Sequence, residues 1–154
     1  MATAFSPQER ERIRDSLLDA ALKSAATQGM RHATVDGLAR EAGISKGAFY
    51  RFYPSKEHLF LSMLERTHEE MYGSAEKVLD ERTDLPLRER TMRAILEVFR
   101  VAETYNLIPF IREELPLLLR RLPQDVVNAH YITDDERIKM ILIKNDYRQL
   151  LCER

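Results

Sequence analysis

Residues 34–59 read TVDGLAREAGISKGAFYRFYPSKEHL, two short helical segments joined by a tight turn and followed at once by the start of a longer helix. Thr34 is a capping residue, and Leu38, Ala39 and Ala42 recur on one helical face behind it. Gly43 ends that segment, where a tight turn needs a positive φ that glycine adopts at low cost. Ile44 is the apolar plug of the turn. Ser45 caps the next helix, expected to run through Lys46, Gly47, Ala48, Phe49, Tyr50, Arg51 and Phe52 until Pro54 breaks it. Ser55 caps the following helix, and Glu57 favours its first turn through the helix dipole.

This is the layout of a helix-turn-helix that reads DNA. A helix that enters the major groove needs small residues at its leading end, here Ser45, Gly47 and Ala48. Ser45 and Lys46 offer donors to phosphate or base edges. The unpaired N–H groups and dipole of a helix start attract phosphate, and Thr34 offers the same at the preceding helix. Tyr50 can donate its hydroxyl to phosphate or lay its ring on a thymine methyl. Elsewhere Lys46, Arg51 and Lys56 would read as solvated charges; inside this motif DNA contact is favoured. Arg10, Arg12 and Arg14 fit phosphate or minor groove about as well as a solvated face. Phe49 is expected in the core.

Outward from the motif the pattern stays helical. Ser6, Pro7 and Glu9 form a capping box with proline at the first helical position, and Ile13, Leu17, Ala20, Ala21 and Ala25 follow at helical spacing until Gly29. Beyond Ser55, Leu59, Phe60, Met63, Leu64, Thr67 and Met71 are expected to face inward, with the pattern fading near Arg82. A fifth helix carries Met92, Ile95, Leu96, Phe99 and Ala102; Pro109 opens a sixth with Phe110, Ile111, Leu115, Leu118 and Leu119. Pro123 opens a seventh, with Thr133, Asp134 and Asp135 as a potential interruption. No strand-like alternation competes, so the fold class is all-α. Residues 1–54 are expected to form the helix-turn-helix domain and residues 55–154 a second helical domain, to which the family resemblance described below assigns effector binding and dimerisation.

The 154 residues suffice for one sizeable core, or a small domain with a modest second one. A hydrophobic fraction of 44% beside 32% charge fits a soluble helical protein, and no run approaches a membrane span. The charged start lacks the apolar core of a signal peptide, and one cysteine, Cys152, excludes an internal disulfide framework; a reducing cytoplasm is the expected location. The net charge of −1 is unevenly spread. Residues 1–56 hold nine Lys/Arg against six Asp/Glu, and the remainder 15 against 19. A basic front on an acidic body suits approach to phosphate by one end.

Residues 8–65 resemble the TetR family of bacterial transcriptional regulators. The resemblance rests on Thr34, Val35, Leu38, Ala39, Ala42, Gly43, Ile44, Ser45, Gly47, Tyr50, Ser55, Lys56, Glu57 and Leu59 in fixed register. It implies a helical body holding a small-molecule pocket, and a homodimer on a palindromic operator that an effector releases. The family contacts carried over by position are Thr34, Ser45, Lys46, Gly47, Ala48, Tyr50 and Lys56, and Val35 and Arg51 complete the expected DNA-binding residues. Two departures stand out. Phe52 occupies a position where many members have a phosphate-contacting histidine, so Phe52 is expected to pack, with Arg51 or Tyr53 serving instead. The chain also ends at Arg154, about where the family's two dimerising helices would begin, so the expectation is a truncated chain with those helices missing or shortened, a differently formed dimer, or a chain defective as a repressor.

Met63, Met92, Phe99, Tyr105 and Phe110 are the candidates for an effector pocket, although core packing is the default for such residues. His68-Glu69 opens like a zinc-protease helix, but Tyr72 stands where the second histidine is needed. His32, His58, His68 and His130 show no metal-ligand spacing, and no phosphate loop or nucleophile motif appears, so no cofactor, metal or enzymatic activity is expected. The alternatives are a truncated DNA-binding subunit without ligand control and a helical interaction module.

Overall fold

In the computed structural model, which describes residues 5–145, the capping signals set where helices begin. Helix α1 spans Pro7–Thr27. Ser6 Oγ accepts from the Glu9 N–H at 3.2 Å, and Glu9 Oε2 accepts from the Ser6 N–H at 2.7 Å. The Ser6 N–H thereby holds the Glu9 carboxyl below the usual carboxylate range. Helix α2 spans Val35–Glu41, α3 Lys46–Phe49, α4 Lys56–Glu81, α5 Leu87–Thr104, α6 Ile108–Glu113, α7 Leu115–Arg121 and α8 Gln124–Lys144.

Three boundaries differ from expectation. Helix α3 stops at Phe49 rather than Phe52. The chain tightens instead, with Arg51 N–H on Ala48 O at 3.0 Å and Phe52 N–H on Phe49 O at 2.9 Å, because the residue before Pro54 disfavours helix. The expected sixth helix divides at Glu114 into α6 and α7. Pro116 in the first turn of α7 lacks an N–H and its ring crowds the carbonyl four residues back. Thr133 to Asp135 does not interrupt α8; Thr133 Oγ1 donates to Ala129 O at 3.0 Å and stays within the helix.

The helices form two compact units. One comprises the chain up to Leu64 together with Tyr105–Leu122; the other comprises Glu65–Thr104 and the chain from Pro123 onward. The first thus extends past residue 54 and recruits α6 and α7. Its core contains Leu17, Ala21, Met30, Phe49, Leu59, Phe60, Met63, Phe110 and Leu118, all fully or almost fully buried. The rings of Phe60 and Phe110 stack 5.8 Å apart at 17°. Each such large side chain contributes about 1.5–3 kcal/mol by leaving water. Polar ties complete the unit. Asn106 Nδ2 donates to Ala26 O at 2.7 Å, and the Arg31 N–H donates to Glu114 Oε2 at 3.2 Å.

Gly43 lies at φ +71°, with open space where a Cβ would be. Replacing Gly43 with alanine is therefore expected to cost about 1–2 kcal/mol from backbone strain alone. Urea denaturation should read this as a lower midpoint with an unchanged slope.

In the second unit Ala75, Leu79, Ala94 and Ile141 form a core cluster, flanked by Tyr72, Val78 and Val98. Lys144 Nζ donates to Glu76 Oε1 at 3.1 Å and to Asp80 Oδ2 at 2.7 Å, and Arg137 Nη2 donates to Glu76 Oε2 at 3.1 Å. The Lys144 hydrogen bond is the largest of the influences that hold Glu76 below its ordinary 4.5, with Arg137 assisting against a smaller opposing effect of burial. A carboxyl depressed by folding stabilises the native state above its unfolded value and loses that contribution as pH falls through the folded one. Acid unfolding below pH 4.5 should therefore be less pH-sensitive in Glu76→Gln than in the parent, as followed by helical circular dichroism.

Of the apolar residues that the fifth helix carries, Ala102 is buried, while four others stay exposed among the described residues. Met92, Ile95, Leu96 and Phe99 are 55, 48, 58 and 59% exposed. The buried residues of α5 are Ala94, Val101 and Ala102. Helical spacing finds an apolar face but does not say which surface covers it.

Candidate nucleic-acid interface

The geometry of the interface follows from two caps and one buried ring. Thr34 Oγ1 accepts from the Gly37 N–H at 3.0 Å and starts α2. Ser45 Oγ accepts from the Ala48 N–H at 3.1 Å and starts α3, while the Ile44 N–H on Ala39 O at 3.0 Å closes the turn between them. Both hydroxyls are used as acceptors by these caps, so each still has an O–H to donate outward. Phe49 is fully buried. Its neighbour Tyr50 consequently points out, half exposed, with its ring held edge-on to Phe49 at 5.5 Å and 86°. A rigid phenol held this way loses little freedom on meeting a partner.

Thr34, Val35, Lys46, Tyr50, Ser55 and Lys56 line one open cleft of about 450 Å³, with the carboxylates of Asp36 and Glu57 also on its wall. Five of the nine residues nominated from sequence therefore meet at a single surface. Lys46 Nζ lies 3.4 Å from Asp36 Oδ2, with both side chains more than half exposed. Such a pair contributes little in water and yields readily to phosphate. Gly47 is exposed and Ala48 half-buried, which leaves the leading end of α3 nearly free of side-chain bulk.

Lys56 is employed differently from the expectation of a simple phosphate contact. Its Nζ donates to Met30 O at 2.9 Å and Ala33 O at 2.8 Å, fastening the loop between α1 and α2. An ammonium has three donors, so one remains for the cleft. Its carbonyl partners are more than twenty residues away, and no local pattern announces them.

Phe52 packs, as its departure from the family pattern implied. Its ring lies 5.8 Å from that of Phe5, and the Arg10 guanidinium sits 5.2 Å over it. Arg51, exposed, lies 5.2 Å over Phe5. Two guanidiniums are thereby positioned by aromatic faces. The part of Phe5 in this arrangement was not read from the sequence, since a single aromatic ahead of a helix carries no periodic signal.

The five pocket candidates are not brought to one cavity within either unit. Met63 and Phe110 are packed in the core of the first unit, where Tyr105 is half-buried. Met92 and Phe99 are exposed on α5 of the second. A pocket of about 120 Å³ touches Phe110, along with Ala25, Gly29, Pro109, Glu113 and Glu114 and others, but none of the other four candidates.

Residues 17–63 match the sequence pattern of the bacterial regulatory proteins of the tetR family. Among curated relatives, the uncharacterized HTH-type transcriptional regulator YuxN of Bacillus subtilis (strain 168) is 46% identical over 57 residues, 37% of this chain and 19% of that protein. The uncharacterized HTH-type transcriptional regulator YhgD of the same organism is 31% identical over 98 residues, 64% of this chain and 50% of that protein. The nucleoid occlusion factor SlmA of Vibrio campbellii (strain ATCC BAA-1116) is 29% identical over 156 residues, covering all of this chain and 72% of SlmA. The first two alignments span a fifth and a half of those relatives' lengths. The solved structure of SCO7518 from Streptomyces coelicolor A3(2) superposes with a TM-score of 0.63 at 22% identity, over 90% of this chain and 76% of that one, which establishes the common fold. Among the described residues no helix is long and apolar enough to cross a membrane.

Proposed function

We propose that this chain, a member of the tetR family through its residues 17–63, is a DNA-binding transcriptional regulator that acts from the cytoplasm as a repressor on a palindromic operator. The observation that carries the reading is the grouping of Lys46 and Tyr50, exposed and held by a buried Phe49, beside the capped start of α2. Lys46 and the hydroxyls of Thr34 and Ser45 position the duplex through phosphate, and Tyr50 with the bare leading end of α3 meets base edges in the major groove.

A palindrome needs two copies related by a twofold axis. The exposed Met92, Ile95, Leu96 and Phe99 stripe on α5 supports a homodimer, because a contiguous apolar face of this kind is costly in water unless a partner covers it. An effector acts only through a difference in affinity between the DNA-competent and released arrangements of that dimer. Its chemistry is left open by the five dispersed pocket candidates.

Footprinting on the DNA flanking the chain's own gene tests the reading. Protection of two symmetric half-sites centred about 10 base pairs apart, or a multiple of that, is expected. Uniform protection with no preferred sequence would overturn the operator. A second reading, a DNA-binding role other than operator repression, draws support from the similarity to the nucleoid occlusion factor SlmA over all of this chain and 72% of that protein. Specific sites scattered away from promoters would favour it.

A further inference from the structure

Two histidines that no sequence spacing connects meet in the second unit. His68 lies on α4 and His130 on α8, with Asp134 one turn beyond His130. His68 Nδ1 and His130 Nε2 approach the same oxygen, Asp134 Oδ2, at 3.0 and 3.5 Å. The imidazoles stack with centroids 5.5 Å apart at 29°, and the three ligand atoms lie within 4.8 Å of one another. A tetrahedral ion with nitrogen and oxygen ligands at about 2.1 Å holds those ligands roughly 3.4 Å apart. The two separations to Asp134 Oδ2 bracket that spacing, while the 4.8 Å bound on the whole set exceeds it, so the two rings close on an ion as it binds.

The surroundings are those of a ligand set and not of a solvated charge cluster. His130 is 6% exposed, and the buried Nδ1 atoms of both rings have no hydrogen-bond partner among the described residues. His68 Nδ1 is thus close to Asp134 yet misaligned for sharing a proton, a geometry that an ion between them accommodates. On the far side of the His130 ring, Nδ1 faces Glu65 Oε1 at 3.4 Å, the place of a carboxylate that orients a metal-bound imidazole. Tyr72, one turn after His68, hydrogen-bonds Asp134. Arg137, a nearby cation, is paired with Glu69 and Glu76.

We propose that His68, His130 and Asp134 bind one divalent transition-metal ion of the zinc class, with Glu65 and Tyr72 as outer positioning residues. Two imidazoles and one carboxylate suit zinc, cobalt or nickel and disfavour magnesium and calcium. Three protein ligands leave a fourth position for water or an exogenous donor. The site goes beyond the DNA-binding reading and does not depend on it.

The test is titration of the chelator-stripped full chain with Co²⁺, read by the visible d–d bands of tetrahedral cobalt and by their loss on adding Zn²⁺. One ion per chain is expected. His68→Gln and Asp134→Asn should each remove the bands and weaken binding by more than about 100-fold. Glu65→Gln, a change at a more exposed side chain, should weaken it about 10–100-fold while keeping the bands. His32→Gln, an exposed position in the other unit, should change nothing. Circular dichroism of each variant separates lost ligation from lost helix. Absence of the bands in the parent chain, or their persistence in folded His68→Gln and Asp134→Asn, would overturn the proposal.

Discussion

Leu96→Asp combined with Phe99→Asp is expected to turn a dimer into a monomer and to reduce operator affinity toward the non-specific level, on the order of 1,000-fold. Both side chains are more than half exposed, so the change should leave the fold of the chain intact. Two charges on each copy would be buried unpaired if the α5 stripe is the dimer face, which is strongly unfavourable. Sedimentation equilibrium reads the mass, and operator binding reads the consequence. A dimer of unchanged stability in the double variant would show that α5 is not the contact. A monomeric variant with undiminished operator affinity would show that two copies are not needed.

The second large effect concerns the reading surface. Tyr50→Ala should cost about 1–3 kcal/mol of operator binding, or roughly 5- to 150-fold, and relax preference at the base it meets. Lys46→Ala should weaken all sequences about equally, because a phosphate contact carries no base information. Neither substitution disturbs the core: Tyr50 is half exposed and the Lys46–Asp36 pair lies in solvent. Lys56 is a poorer probe, since removing it also releases Met30 O and Ala33 O. Binding lost in Lys56→Ala alone would therefore not distinguish contact from local unfolding. Equal affinity for operator in parent, Tyr50→Ala and Lys46→Ala would place the reading surface elsewhere.

What was legible in the sequence was local. Ser6, Pro7 and Glu9 around α1, Thr34 before α2, Gly43 in the turn and Ser45 before α3 act on backbone groups within a few residues, and the structure uses each as its chemistry dictates. The grouping of Thr34, Val35, Lys46 and Tyr50 was legible for the same reason, since one short turn brings them together. Long-range relations were not. The α5 stripe was apolar and periodic, yet of its residues only Ala102 is buried, beside Ala94 and Val101, because periodicity is blind to the partner surface. Lys56 finds its carbonyls, and His68 finds His130 and Asp134, only after helices distant in sequence have packed. The division at Glu114 comes from Pro116, which has no N–H to give and crowds a preceding carbonyl.

The central claim is that Lys46 and its neighbours form a phosphate-and-base reading surface. Fluorescence anisotropy of the parent chain and Lys46→Ala on the DNA flanking the chain's own gene, over a salt series, tests it most directly. The prediction is tight, sequence-dependent binding that falls steeply with salt, and a slope in the logarithmic plot smaller by about 1 for Lys46→Ala. Binding that is absent in the parent, or whose salt slope Lys46→Ala leaves unchanged, would contradict it.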